Sequence, residues 1–99
     1  MNFKVGDKVQ FIGKWLHGHE GFIEEIVVDP DKDWKGKGLY SCFLLDSPHD
    51  DSDWYAGDLK GDELRKIGTL TIKELEHYKE RLPFGFKKDI DRVIGELSQ

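Results

Sequence analysis

The chain of 99 residues has one cysteine, Cys42, and three prolines. A single thiol excludes an internal disulfide and a cysteine-rich metal site. Cys42 lies inside an apolar run, where a small core residue is expected. No stretch approaches the roughly 20 apolar residues that span a bilayer. The start, Met1-Asn2-Phe3-Lys4-Val5-Gly6-Asp7, lacks the apolar core of a secretory leader. A soluble protein of a reducing cytoplasm is therefore expected. No glycine-rich phosphate loop is present, and Cys42 with a histidine is the only pairing that resembles a nucleophile and base. The reading is non-enzymatic, with no catalytic residue, cofactor or metal expected.

Positive charge is also scarce: 20 Asp and Glu outnumber 15 Lys and Arg, for a net charge of −5. The excess is local. Residues 1–28 carry four acids and three bases, and residues 67–99 carry six of each. Between them, Asp46, Asp50, Asp51, Asp53, Asp58, Asp62 and Glu63 stand against Lys60 alone, so one segment holds −6. Such a patch repels phosphate and attracts basic partners.

Aromatic residues are plentiful, with six Phe, three Trp and three Tyr. The pattern of period two predicts five strands: Lys8–Ile12, Phe22–Val28, Leu39–Leu45, Trp54–Ala56 and Leu64–Ile67. The third is the most apolar and is expected at the centre. Gly57-Asp58-Leu59 reads as a tight turn or one turn of 3-10 helix. Polar excursions run from Asp29 to Gly38 and from Asp46 to Asp53. The period then changes. Thr71-Ile72-Lys73-Glu74 fits a capping box, and Ile72, Leu75, Tyr78 and Leu82 recur at helical spacing. Pro83 and Gly85 break that helix, with Phe84 and Phe86 as expected anchors. Ile90, Val93, Ile94 and Leu97 form the stripe of a second helix. Helices this short need a packing surface, either the sheet or a second copy of the chain.

Phe3-Lys4-Val5-Gly6-Asp7-Lys8-Val9, Gly18-His19-Glu20-Gly21-Phe22-Ile23, Tyr40-Ser41-Cys42-Phe43-Leu44-Leu45-Asp46 and Trp54-Tyr55 with Asp58-Leu59 together carry a likeness. Residues 3–67 resemble small SH3-like barrels of bacterial and bacteriophage proteins, including those of the KOW type. The resemblance implies a five-stranded antiparallel SH3-like barrel over residues 1–68; residues 69–99, where the spacing predicts a helical hairpin, lie outside it, and the whole chain is expected to be α+β. The resemblance also implies a binding module of the host cytoplasm. KOW-type barrels bind RNA or protein, but here the loops are acidic where an RNA-binding barrel carries Lys and Arg.

Three motifs bear on chemistry. Asp29-x-Asp31-x-Asp33 imitates half of a calcium loop, but Trp34 and Tyr40 occupy the places of its Gly and Glu. His17-x-His19-Glu20 with His49 has no specific metal spacing. Trp34, between Asp33 and Lys35, is hard to bury and suits an interface. The expected partner-binding set is Asp46, Asp50, Asp51, Asp53, Trp54, Tyr55, Asp58, Asp62, Glu63 and Trp34. Carboxylates on a rigid frame can stand in for phosphates, so the expected partner is a basic protein, such as a nucleoid or other DNA-binding protein. A homodimer through the helices would double the charge. The alternatives are direct nucleic-acid binding through Lys8, Lys14, Lys35 and Lys37 with Trp15 and Trp34 as stacking platforms, or a peptide-binding adaptor.

Overall fold

The computed structural model describes residues 3–14, 16–32, 36–45, 55–82 and 84–98. It is an α+β arrangement of five strands and two C-terminal helices. The strands are β1 (Asp7–Phe11), β2 (Glu20–Val28), β3 (Leu39–Leu44), β4 (Tyr55–Lys60) and β5 (Leu64–Thr69). The helices are α1 (Ile72–Arg81) and α2 (Lys87–Leu97), joined through a 3-10 turn at Phe84–Phe86.

All pairings are antiparallel, in the order β4-β3-β2-β1-β5. The sheet is open, with β4 and β5 at its edges. The middle strand is β2, not the more apolar β3. Both are interior strands, but β3 is buried on two faces from Tyr40 to Leu44 while β2 is so only from Gly21 to Glu24, and the apolarity of β3 reflects that burial rather than a central position.

The Val5-Gly6-Asp7 entry is a tight turn. Gly6 adopts φ +91°, a left-handed conformation natural to glycine. Its N–H donates to the Ile23 carbonyl, and its own carbonyl accepts from Leu70 N–H. The turn thus ties β1 to β2 and to the entry of α1. Asp7 is buried and accepts from Lys4 N–H at 2.8 Å, with Lys66 at 3.4 Å from its other oxygen.

The imperfect alternation of β2 has a structural cause. Its register against β3 shifts between Ile23 and Glu25 and again between Ile26 and Val28, so irregularities reset the faces. A second irregularity overturns the expected turn at Gly57-Asp58-Leu59. These residues belong to β4. Ala56 pairs with Cys42 and Leu59 with Tyr40, leaving Gly57 and Asp58 opposite Ser41 alone. Asp58 has φ 56°, a left-handed conformation that aspartate tolerates better than most residues. The turn propensity is real, but pairing with β3 absorbs it as a bulge, and the strand continues to Lys60.

Two hydrophobic cores share the sheet. On the inner face all five strands feed one cluster: Val9 and Phe11, Ile23, Tyr40 with Cys42 and Leu44, Ala56 with Leu59, and Leu64. One sheet can do this only when strongly coiled. On the outer face Phe22 and Phe43, both fully buried, meet Leu75, Tyr78, Leu82, Ile90 and Val93 from the helices. The two helical stripes are thus used inside the chain. The capping box at α1 forms as expected: Glu74 N–H donates to Thr71 Oγ1 at 3.1 Å, and Thr71 N–H donates to Glu74 Oε1 at 3.2 Å.

Candidate binding surface

The helices cover only part of the outer sheet face. Beyond their edge stands Tyr55, at the start of β4 and directly opposite Phe43. Its ring packs at 70° and 5.9 Å from Phe43, and its hydroxyl donates to Ser41 Oγ at 2.9 Å. These contacts fix its orientation, yet 46 % of the residue is exposed. Phe86, from the turn between the helices, also contacts Phe43, at 82° and 5.6 Å. Phe43 is therefore a buried pillar against which both rings pack.

A cleft of about 490 Å³ opens between β2, Tyr55 and α2. Tyr55 and Phe86 supply its apolar surface; Glu24, Glu25, Asp89 and Arg92 supply its charge. Glu24 shares the outer face with Phe22 and is only 3 % exposed. Burial pushes its carboxyl above the ordinary carboxylate range, and Arg92 partly counters the shift by charge and by hydrogen bonding. Arg92 also lies 3.9 Å from Asp89. Three carboxylates face one guanidinium, so the cleft is acidic, aromatic and built on packed elements.

Of the expected site residues that are described, only Tyr55 enters this cleft. Asp58 is exposed on the β4 bulge. Asp62 and Glu63 lie past the far end of β4, in the 3-10 turn Gly61–Glu63. Asp62 pairs with Lys37 at 2.9 Å, which holds its carboxyl below the usual range. Glu63 accepts from Lys60 N–H at 3.2 Å, closing that turn. These three acids do not form a row of uncompensated charge. Asp46, Asp50, Asp51, Asp53, Trp54 and Trp34 lie outside the described residues. The cleft residues that sequence reasoning missed are Glu24, Glu25, Phe86, Asp89 and Arg92. One signal was available: Glu24 is in phase with buried Phe22, and an acid on an apolar face asks for a partner.

The other motifs resolve into local structure. Asp31 N–H donates to Asp29 Oδ1 at 2.9 Å, starting the 3-10 turn Pro30–Lys32. His17 Nδ1 lies 3.2 Å and 3.1 Å from the carbonyls of Ile12 and Gly13. Among the described residues no group of three or more His, Cys, Asp or Glu could hold a metal ion. Lys8 pairs with Glu20 at 3.6 Å and Lys37 with Asp62, while Lys14 is exposed and Lys35 and Trp15 lie outside the described residues. Cys42 is fully buried, and burial pushes its thiol far above the ordinary range.

No protein-family model, curated protein or solved structure matches this chain. No helix of the described residues is long and apolar enough to cross a membrane.

Proposed function

We infer that this protein is a non-enzymatic binding module that engages a basic segment of another protein through the outer face of its sheet. The observation that carries the reading is the cleft between β2, Tyr55 and α2. Its aromatic rings offer contact area at little cost in side-chain entropy, its excess of carboxylates favours a cation, and both elements are held by a packed core. Tyr55 lies within the −6 segment, with Asp46, Asp50, Asp51 and Asp53 preceding it along the chain.

The strand order, with β5 returning to pair with β1, and the single inner core support the finer reading of the sheet as an SH3-like barrel. The most specific form of the proposal is a small bacteriophage-type protein that mimics DNA and competes for a nucleoid or other DNA-binding protein. The pairing of Asp62 with Lys37 shifts the weight of that idea from the whole acidic segment toward the Tyr55 end. It also disfavours direct nucleic-acid binding through Lys37, which a carboxylate engages at 2.9 Å.

The test is a fluorescence-anisotropy titration with a lysine- and arginine-rich peptide, alongside a gel shift with duplex DNA. Binding should be saturable and weakened by salt, and the gel shift negative. Glu25→Lys with Asp89→Lys should weaken the peptide about tenfold, a change of about 1.4 kcal/mol. Equal affinity for the double variant would sink the proposal.

A further inference from the structure

On another side of the helical layer the charge reverses. A second cavity, of about 500 Å³, lies between α1 and the end of β3. Its floor is apolar: Leu45, Leu70 and the ring of Tyr78. Tyr78 is anchored from below. Its hydroxyl donates to the Leu44 carbonyl, and its ring packs edge-on against Phe22 at 5.3 Å. The hydroxyl is thereby engaged, and Leu45 is the more accessible part of the floor, with Leu70 and Tyr78 5 % and 3 % exposed beneath the basic side chains.

Basic side chains surround this floor. Lys73, His77 and Arg81 follow at intervals of four along α1, and Lys8 reaches in from β1, where it also lies 3.6 Å from Glu20. Glu74 is the one acid among the lining residues, and its carboxylate is engaged by the backbone and hydroxyl of Thr71 in the capping box. Lys8, Lys73 and Arg81 thus outnumber the one carboxylate around an apolar centre.

The spacing selects the occupant. Lys73 and Arg81 are eight residues apart, about 12 Å along a helix. An extended strand advances about 3.3 Å per residue, with residues i, i+2 and i+4 on one side. Two acids four residues apart therefore span about 13 Å, and the residue midway between them faces the same way. A compact anion can bridge neighbours one helical turn apart, whereas an extended segment matches the full distance from Lys73 to Arg81.

We propose that the groove over α1 binds an extended acidic segment of a partner protein, of the form acid-x-apolar-x-acid. The acids lie toward Lys73 and Arg81, and the apolar side chain drops onto Leu45, Leu70 and Tyr78. This site is separate from the acidic cleft, and its failure leaves that reading intact.

The probe is a fluorescein-labelled heptapeptide, Ser-Asp-Ser-Phe-Ser-Glu-Ser, titrated against the full chain by anisotropy at low and high salt. Saturable binding that weakens with salt is expected. Replacing its Phe by Ser should cost about tenfold, as burial of an aromatic ring implies. Lys73→Gln with Arg81→Gln should also cost about tenfold, with an unchanged circular dichroism spectrum, since both positions are exposed on α1. The proposal is overturned by absence of saturable binding at low salt. Equal affinity for a scrambled peptide with adjacent acids, or equal affinity of the double variant, overturns it too.

Discussion

Phe43→Ala tests the two-core architecture. Phe43 is fully buried on the outer face of an interior strand and meets four rings: Phe22, Tyr55, Tyr78 and Phe86. Two belong to the sheet and two to the helical layer, so no single shift can close the cavity. Phe→Ala truncations cost about 3–5 kcal/mol, least where the site can collapse. A domain of this size has about 5–15 kcal/mol in all, so the upper half of that range would remove a large share of its stability. With a urea slope of about 1–1.5 kcal/mol per molar, the midpoint should fall by about 3 M. The assay is urea denaturation followed by far-ultraviolet circular dichroism, paired with native-state hydrogen exchange. Exchange adds a spatial test. Amides in α1 and α2 should lose protection in Phe43→Ala, because their docking surface is damaged. Phe11→Ala, in the inner core, should destabilise globally without singling out the helices. A loss below about 1.5 kcal/mol, the scale of a modest packing change, would refute the reasoning. So would helical exchange no different from that of Phe11→Ala.

Two further outcomes follow from the same coordinates. Gly21→Ala should cost about 3 kcal/mol or more in thermal or urea unfolding, because the added Cβ would stand 2.3 Å from the Phe43 carbonyl oxygen and 2.9 Å from the Phe11 ring; a change under about 1 kcal/mol, the average for point substitutions, would count against the close β2–β3 approach. Glu24→Gln should alter the pH dependence of stability. The Glu24 carboxyl is raised on folding, first by desolvation and only partly offset by Arg92. The native state therefore holds its proton more tightly, and this contribution to stability is present below the ordinary pKa of 4.5 and lost as pH rises through the folded-state value. Stability of Glu24→Gln relative to the parent should accordingly climb as pH increases from 4.5 and then level off, and a flat or falling difference in urea titrations would contradict the burial argument.

Much of the local structure was legible because its causes are local. Thr71 and Glu74 satisfy each other's neighbouring amides within one turn, so the start of α1 can be placed from four residues. The strand runs and the helical stripes follow from side-chain periodicity. The Val5-Gly6-Asp7 turn follows from the freedom of glycine at positive φ and the short acceptor of aspartate. Placing the site was harder. Its expected centre was a run of acids close in sequence, yet Asp62 found Lys37 across a loop and Glu63 turned back onto Lys60. Glu24 and Arg92, separated by 68 positions, share a cleft that no spacing rule anticipates.

From its sequence alone this protein was committed to an α+β chain with an acidic middle and a helical end, because hydrophobic period, capping and charge are properties of short stretches. Tertiary structure alone decided that Gly57 and Asp58 become a bulge instead of a turn, since pairing with β3 outweighs a two-residue preference. It alone chose which sheet face the helices cover and which acids meet a base. Those outcomes depend on register between distant strands, where a shift of one residue exchanges the two faces, and that information resides in the assembled packing.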